Sequence, residues 1–357
     1  MCGNEGASMN PYVLYACVRG YSHILSGKEC QDSFQLVMLE DGTLLLSVAD
    51  GHGSKSCPYS KKGSETAVQV FCATLSALYR LKRENRDELK RILALDHKVQ
   101  LAQSIVGTWK DRIAKFHRKE QRPIPTYDDG RENLPALYRM YGSTLLGALI
   151  APDFVFVFQL GDGDIIRADD QGVQNLVEAN KFLGVESDSL CGDDAWKKAV
   201  SVLYSRKWDQ GRPYFLQLST DGFANSFVSD GEFYKTCGKY LQMMERYGAD
   251  AVQENLASWL AETSRLGCGD DTTALIAYFA GSKAAEAGSD ESEEVPTPES
   301  QASEEPADPA EQAPNEQEVD YESNSDFTEV SESEQTLRDP SSADGGWGMV
   351  PDLGFSD

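Results

Sequence analysis

Residues 44–53 read Leu44-Leu45-Leu46-Ser47-Val48-Ala49-Asp50-Gly51-His52-Gly53, a mostly apolar run that ends in an acid, a glycine, a histidine and a second glycine. The first six residues have the length and composition of a buried strand bounded by turn residues. Upstream, Asp41-Gly42 reads as a tight hairpin turn, with glycine supplying the positive φ, back to a strand over residues 33–39. The same pattern recurs. Phe154–Leu160 ends in Gly161-Asp162-Gly163-Asp164, Tyr214–Ser219 leads through Thr220 into Asp221-Gly222, and Asp270-Asp271 stands just before Thr272–Phe279.

A single Asp-Gly after a strand is ordinary turn chemistry. Four acidic sites in one domain, each abutting a strong core strand, have a sharper meaning. Strand ends that share a rim would bring several carboxylates within a few ångströms, and like charges that close require a counter-charge. Hard oxygen ligands select Mg²⁺ or Mn²⁺ over zinc or copper. Ions held this way polarise a water and neutralise a phosphoryl group. Spacing alone therefore predicts a metal-dependent hydrolase acting on a phosphate ester.

Further strands are expected at Tyr12–Val18 and at 143–150, with Ala151-Pro152-Asp153 as a hairpin turn into Phe154–Leu160. Apolar residues at helical spacing mark 64–80 (Ala67, Val70, Phe71, Thr74, Leu78) and 101–116 (Leu101, Ile105, Trp109, Ile113, Phe116). Residues 123–135 interrupt this pattern as a loop, and a further helical pair spans 232–245 and 249–265. Hairpin-linked strands with helices in pairs argue against a doubly wound parallel sheet. They predict an α+β fold, a four-layer α-β-β-α sandwich of two stacked, mostly antiparallel sheets flanked by helix pairs.

The formal charge of -25 over 357 residues is unevenly spread. Residues 281–357 hold 22 acidic residues against Lys283 and Arg338, a charge of -20, and the first 280 residues carry only -5. The latter is the balance of an ordinary globular domain, and neither part has the basic patch of a nucleic-acid binder. The tail is rich in Glu, Ser, Pro, Asp and Ala, too poor in apolar residues to offset its ordering entropy, and is expected to be disordered. The chain thus divides into an N-terminal extension (1–11), one catalytic domain (12–280) and the acidic tail (281–357). No apolar run approaches the ~20 residues that cross a bilayer. Met1-Cys2-Gly3-Asn4-Glu5 lacks the start of a signal peptide, so a cytoplasmic location is expected, with no membrane partner. The eight cysteines include no Cys-x-x-Cys pair, which argues against a zinc site or redox motif; Cys17 and Cys72 fall in apolar patterns that suit reduced, buried thiols.

Val48-Ala49-Asp50-Gly51-His52-Gly53, Tyr141-Gly142-Ser143-Thr144, Gly161-Asp162-Gly163-Asp164, Leu218-Ser219-Thr220-Asp221-Gly222-Phe223 and Gly269-Asp270-Asp271-Thr272-Thr273 occur in that order. Together they resemble the motifs of the metal-dependent serine/threonine protein phosphatases of the type 2C class, the PPM family, over residues 12–280. The resemblance implies hydrolysis of phosphoserine and phosphothreonine on proteins by a metal-activated water, with Mn²⁺ or Mg²⁺ as cofactor. It implies that Asp50 bridges two ions, that the Gly51 carbonyl supports the second, and that Asp221 and Asp270 complete the first. Asp162, with Asp221, is the family's place for a third, weaker ion. His52 takes the part of general acid toward the departing seryl or threonyl oxygen.

Two positions depart from the family. Where it has Glu-Asp before a strand, this chain has Gln31-Asp32. An amide carbonyl ligates a hard cation directly or through water but adds no charge, so a weaker second metal site is expected. Gly20-Tyr21-Ser22-His23 followed by Cys30-Gln31-Asp32 resembles a bacterial branch of the family in which this Gln is usual. The family's phosphate-binding arginine falls at Gly27; Lys28, His23 and Arg19 are the nearby substitutes, and sequence does not choose among them.

Other readings fit parts of the chain. Asp162-Gly163-Asp164 matches the Asp-x-Asp of aspartyl-phosphate enzymes, although Ile166 stands where Thr or Val is needed. A pseudophosphatase that only binds partners would explain Gln31 and the missing arginine, and small phosphomolecules are an alternative substrate class. Phosphoprotein substrates imply a cognate serine/threonine kinase as partner. In the tail, Asp326-Phe327-Thr328-Glu329 and Ser331-Glu332-Ser333-Glu334 suit phosphorylation and a phosphopeptide-reading partner, and Trp347-Gly348-Met349-Val350-Pro351-Asp352-Leu353 suits a docking anchor.

Overall fold

The computed structural model describes residues 11–96, 98–177, 188–206 and 211–281. Except for Pro11 and Gly281, the expected N-terminal extension and acidic tail lie outside these residues. The strands in chain order are β1 (Tyr12–Val18), β2 (Ser33–Met38), β3 (Leu44–Ala49), β4 (Leu145–Ile150), β5 (Phe154–Leu160), β6 (Asp164–Asp169), β7 (Gly172–Asn175), β8 (Val200–Ser205), β9 (Tyr214–Ser219) and β10 (Thr272–Phe279). The helices are α1 (Tyr21–Ser26), α2 (Ser60–Lys82), α3 (Arg86–Arg91), α4 (Lys98–Lys119), α5 (Leu134–Arg139), α6 (Ala195–Lys198), α7 (Asp221–Ala224), α8 (Asp230–Tyr247) and α9 (Ala249–Leu266).

The strands form two five-stranded sheets, ordered β1-β10-β9-β6-β7 and β2-β3-β4-β5-β8, with every described pairing antiparallel. Side-chain alternation explains why β3 is apolar on both faces. Leu44, Leu46 and Val48 pack between the sheets, whereas Leu45 and Ala49 face outward against α2 and α4 residues such as Phe71, Leu75 and Trp109. Strand β10 divides in the same way. Leu275, Ala277 and Phe279 join the layer between the sheets, and Ala274, Ile276 and Tyr278 meet Tyr240, Leu256 and Trp259 of α8 and α9. Three buried layers thus separate four layers of structure, the expected α-β-β-α order.

The Asp41-Gly42 turn forms as expected, with Leu39 N donating to Thr43 O at 2.8 Å and Gly42 at φ 79°. The strand expected at 143–150 begins at Leu145, because Ser143 instead bridges to Gly51. The expected loop 123–135 stops two residues early, at α5, which begins at Leu134 and is capped by the Asn133 side chain accepting from Ala136 N at 3.1 Å. Strands β6, β7 and β8, and the short helices α1, α3, α6 and α7, have no counterpart in the pattern reading. Strand β7 is four residues long and β8 has an alternation with no turn signal before it, so neither carries enough local information. Among the described residues no helix is long and apolar enough to cross a membrane.

Candidate active site at the strand rim

Antiparallel pairing brings the end of one strand beside the start of its neighbour, and every acidic motif lies at such a junction. Ala49 at the end of β3 pairs with Ser33 at the start of β2, so Asp50 and Asp32 share an edge. Leu160 at the end of β5 pairs with Leu145 at the start of β4, which puts Asp162 on that edge too. In the other sheet Ser219 of β9 pairs with Ala274 of β10 and with Asp164 of β6, so Asp221 and Asp270 adjoin.

One carboxylate joins the two rims. Asp32 is buried, and its Oδ2 accepts the Thr220 and Thr273 hydroxyls at 2.7 Å each. Thr273 N in turn donates to Thr220 Oγ1 at 3.0 Å. Burial holds the Asp32 carboxyl well above the usual carboxylate range. Its other oxygen, Oδ1, is buried without a hydrogen-bond partner.

Asp50 keeps part of its surface exposed while its carboxyl is enclosed by protein. Burial first, and then the charges of Asp32, Asp221, Asp270 and Asp162, push this carboxyl well above its ordinary value. Four predicted acids therefore converge on the fifth. The loop that carries Asp50 is held by the Gly-Ser-Thr motif: Asp50 N donates to Thr144 Oγ1, and Thr144 N donates to Asp50 O, both at 2.9 Å. Asp221 opens α7 and accepts Asn225 Nδ2 at 3.0 Å; Asp270 is largely exposed and accepts Asp271 N at 2.8 Å.

Gln31 and Gly51 meet at the same loop. The Gln31 side-chain oxygen Oε1 is buried without a hydrogen-bond partner and lies where a Cβ on Gly53 would stand. Its backbone is pinned, with N donating to Asp271 Oδ2 at 2.6 Å and O accepting Ser64 Oγ at 2.5 Å. The His52 ring rests on Gly142, whose missing Cβ makes the space, and His52 N donates to Gly142 O at 3.3 Å.

The three phosphate-binding candidates adjoin one another but make different contacts, with Lys28 N donating to His23 O at 2.9 Å. Lys28 Nζ reaches the Gly53 carbonyl at 3.3 Å, at the lip of the Asp50 loop. Arg19 donates from Nη1 to Lys28 O at 3.4 Å. His23 is nearly enclosed, with Nδ1 2.9 Å from Asp271 Oδ1 and Nε2 3.9 Å from Asp270 Oδ1. Asp164, the second acid of the Asp-x-Asp alternative, is buried and accepts Asn175 Nδ2 at 2.9 Å, which speaks against that reading.

Several residues of the site escaped the sequence reading. Asp271 accepts Gly20 N at 2.7 Å besides His23 and Gln31, and so fastens the 20–31 segment to β10. Lys61 Nζ donates to Asp32 O at 2.8 Å. Cys17 and Cys30, thirteen residues apart, bring their sulfurs to 3.7 Å; the hydrogen bond between them lowers the Cys17 thiol and raises Cys30. The Asp-Asp dipeptide was the one signal for Asp271. Lys61 and the thiol pair become neighbours of the site only through long-range pairing.

The protein phosphatase 2C family model matches residues 19–261. Among curated proteins, serine/threonine-protein phosphatase 3 of Escherichia coli (strain K12) is 27% identical over 166 residues, 45% of this chain. That stretch spans 55% of the relative's own length. Among solved structures, the Mycobacterium tuberculosis serine/threonine phosphatase PstP/Ppp is similar at TM-score 0.47 and 17% identity, covering 76% of this chain and 99% of its own. The S. agalactiae serine/threonine phosphatase gives 0.48 and 13%, with 76% and 99% covered. Because the family model spans more than half of the chain, this protein belongs to the protein phosphatase 2C family.

Proposed function

We propose that the chain is a metal-dependent phosphatase that hydrolyses phosphoserine and phosphothreonine on proteins, with the whole activity in residues 12–280. The observation that carries this reading is the convergence of Asp32, Asp162, Asp221 and Asp270 on Asp50, beside the buried, unbonded Oε1 of Gln31. So many carboxylates raise one another's proton affinity unless a multivalent cation offsets them. An all-oxygen donor set fits Mn²⁺ or Mg²⁺.

Asp50, with the Gly51 carbonyl, Asp221, Asp270 and Gln31, would hold two such ions, and Asp162 a third. Asp32 is the inner support, its Oδ2 occupied by two hydroxyls. When bound, the ions supply an activated water and neutralise the phosphoryl oxygens. The chain's own residues do the rest. Lys28, at the lip of the loop, attracts the phosphoryl group into the cleft. His52 donates a proton to the leaving seryl or threonyl oxygen, which prevents expulsion of an alkoxide. Gly142 leaves room for the His52 ring, which a Cβ at that position would strike. Phosphoprotein substrates imply a cognate kinase.

The test is turnover of phosphoserine and phosphothreonine peptides and of p-nitrophenyl phosphate, with and without Mn²⁺, for the native chain, Asp50→Ala and Asp221→Ala. Metal-dependent turnover lost in both variants is expected. Native turnover that survives strong chelation overturns the metal reading, and complete inactivity favours a pseudophosphatase.

A further inference from the structure

We propose that Cys17 and Cys30 form a reversible oxidation site for hydroperoxides, and that closing their disulfide loosens the Gln31 side of the metal centre. The second half rests on the metal-dependent reading above; the first does not.

The two thiols belong to different kinds of structure. Cys17 sits on β1, held in register opposite Thr273 within a seven-residue antiparallel pairing. Cys30 lies in the irregular segment between α1 and β2 and immediately precedes Gln31-Asp32. Both are half-buried, so neither is sealed from a small oxidant. Their sulfurs are 3.7 Å apart, and a disulfide requires about 2.0 Å, so closure draws them together by about 1.7 Å. A continuously paired strand resists that movement more than an irregular segment held by separate hydrogen bonds, so the backbone share of it falls on Cys30. Gln31 follows it, because it is the next residue. Its bonds to Asp271 Oδ2 at 2.6 Å and to Ser64 Oγ at 2.5 Å then lengthen, and Oε1 leaves its place against Gly53.

The chemistry balances with a hydroperoxide as oxidant. One cysteine sulfur attacks the peroxide O–O bond, an S–O bond forms, and water (or an alcohol) departs. The second sulfur attacks that sulfenic sulfur, the S–S bond forms, and the hydroxyl leaves as water with the thiol proton. Two electrons pass from the two sulfurs to the peroxide. A dithiol reverses the change by exchange. The other described cysteines near the site differ. Cys57, Cys191 and Cys268 each place their sulfur against a serine hydroxyl, Ser56 at 3.8 Å, Ser189 at 3.2 Å and Ser226 at 3.3 Å.

The experiment treats the full-length chain with hydrogen peroxide, alkylates the remaining thiols and maps the peptides by mass. Mn²⁺ binding is measured directly by calorimetric titration before and after oxidation. The expected result is a dithiol-reversible link between the peptides that carry Cys17 and Cys30. Mn²⁺ affinity at the weaker of the two main sites should fall by about tenfold, as when a supporting contact of a metal ligand is lost. Cys17→Ser and Cys30→Ser should keep the untreated affinity and lose the response; Cys17→Ala is the substitute if the serine variant does not fold. Absence of the link, or a link through other cysteines, overturns the proposal. A Cys17–Cys30 link with unchanged Mn²⁺ affinity overturns its second half. Both readouts stand without turnover, so an inactive chain would count against the proposed function and leave the thiol pair to be judged separately.

Discussion

Thr273 on β10 donates its hydroxyl to Asp32, just before β2, at 2.7 Å, so a residue of one sheet satisfies a buried carboxyl of the other. Thr220, the residue that follows β9, does the same. These two bonds clamp the rims together at the point where the acidic residues gather. Thr273→Val keeps the shape and removes the donor, and should destabilise the fold by about 1–3 kcal/mol, the cost of leaving a buried acid with one donor fewer. Chemical denaturation measures it. A change below the error of that measurement would show that the clamp contributes nothing.

Asp50→Asn separates stability from function. The native carboxyl is raised well above its usual value by burial and by four neighbouring acids, which means that ionising it costs folding free energy. The amide removes that cost, about 1.4 kcal/mol for each pKa unit of repulsion relieved. The metal-free variant should therefore melt higher than the native metal-free chain, while Mn²⁺ binding and peptide turnover fall to background. A lower melting temperature would contradict the crowding of charge around Asp50.

The same crowding sets a pH dependence. Asp32 and Asp50 have folded-state values raised above the ordinary 3.8, so between 3.8 and the raised values the folded chain binds more protons than the unfolded one. Stability of the metal-free chain attributable to these groups therefore falls as pH rises through that window. A bound divalent cation cancels the repulsion. The rise in melting temperature on adding Mn²⁺ should thus be larger at pH 8 than at pH 5.5, as scanning fluorimetry at matched ionic strength would detect. An equal or reversed increment would argue that no cation binds among these acids.

Gln31→Glu supplies the carboxylate that the Gln31 position lacks, at an atom already buried and unbonded. The Mn²⁺ concentration for half-maximal peptide turnover should drop by about tenfold. If it does not drop, Gln31 is not part of the second metal site.

Lys28 and Arg19 give a paired comparison. Lys28 Nζ stands 3.3 Å from the Gly53 carbonyl, whereas the Arg19 guanidinium is turned to the Lys28 backbone. Lys28→Ala should raise KM for a phosphopeptide about fivefold to twentyfold with kcat little changed, the mark of lost ground-state binding. Arg19→Ala should leave KM close to native. The reverse ranking would move phosphate recognition from Lys28 to Arg19.

Much of this site could be read along the chain because its acidic residues are attached to strong local signals. Apolar runs ending at Asp50, Asp162 and Asp221, and one beginning after Asp270, are strands whatever surrounds them, since both faces are buried. Antiparallel pairing then leaves those acids no place but the strand junctions. Asp41-Gly42 and the helical pair now seen as α8 and α9 were legible for the same reason, each carrying its turn or period within a few residues. Strands β6, β7 and β8 were not, because short pieces with weak alternation become strands only when an existing sheet edge offers them bonds.

Residue order alone fixes the layering and the acidic motifs, because the burial pattern of each strand is written in its neighbours along the chain. Which residues hold the acids in place is settled only by long-range pairing in the folded chain. Thr220, Thr273, Lys61 and Asp271 reach Asp32 and Gln31 across separations from 29 to 241 residues, and no periodicity encodes such meetings. The tertiary structure also decided that Lys28 rather than Arg19 faces the loop, and that Cys17 and Cys30 are neighbours. Those outcomes depend on how the 19–32 segment turns against β1 and β10, and that turn is held by the buried Asp271 carboxylate.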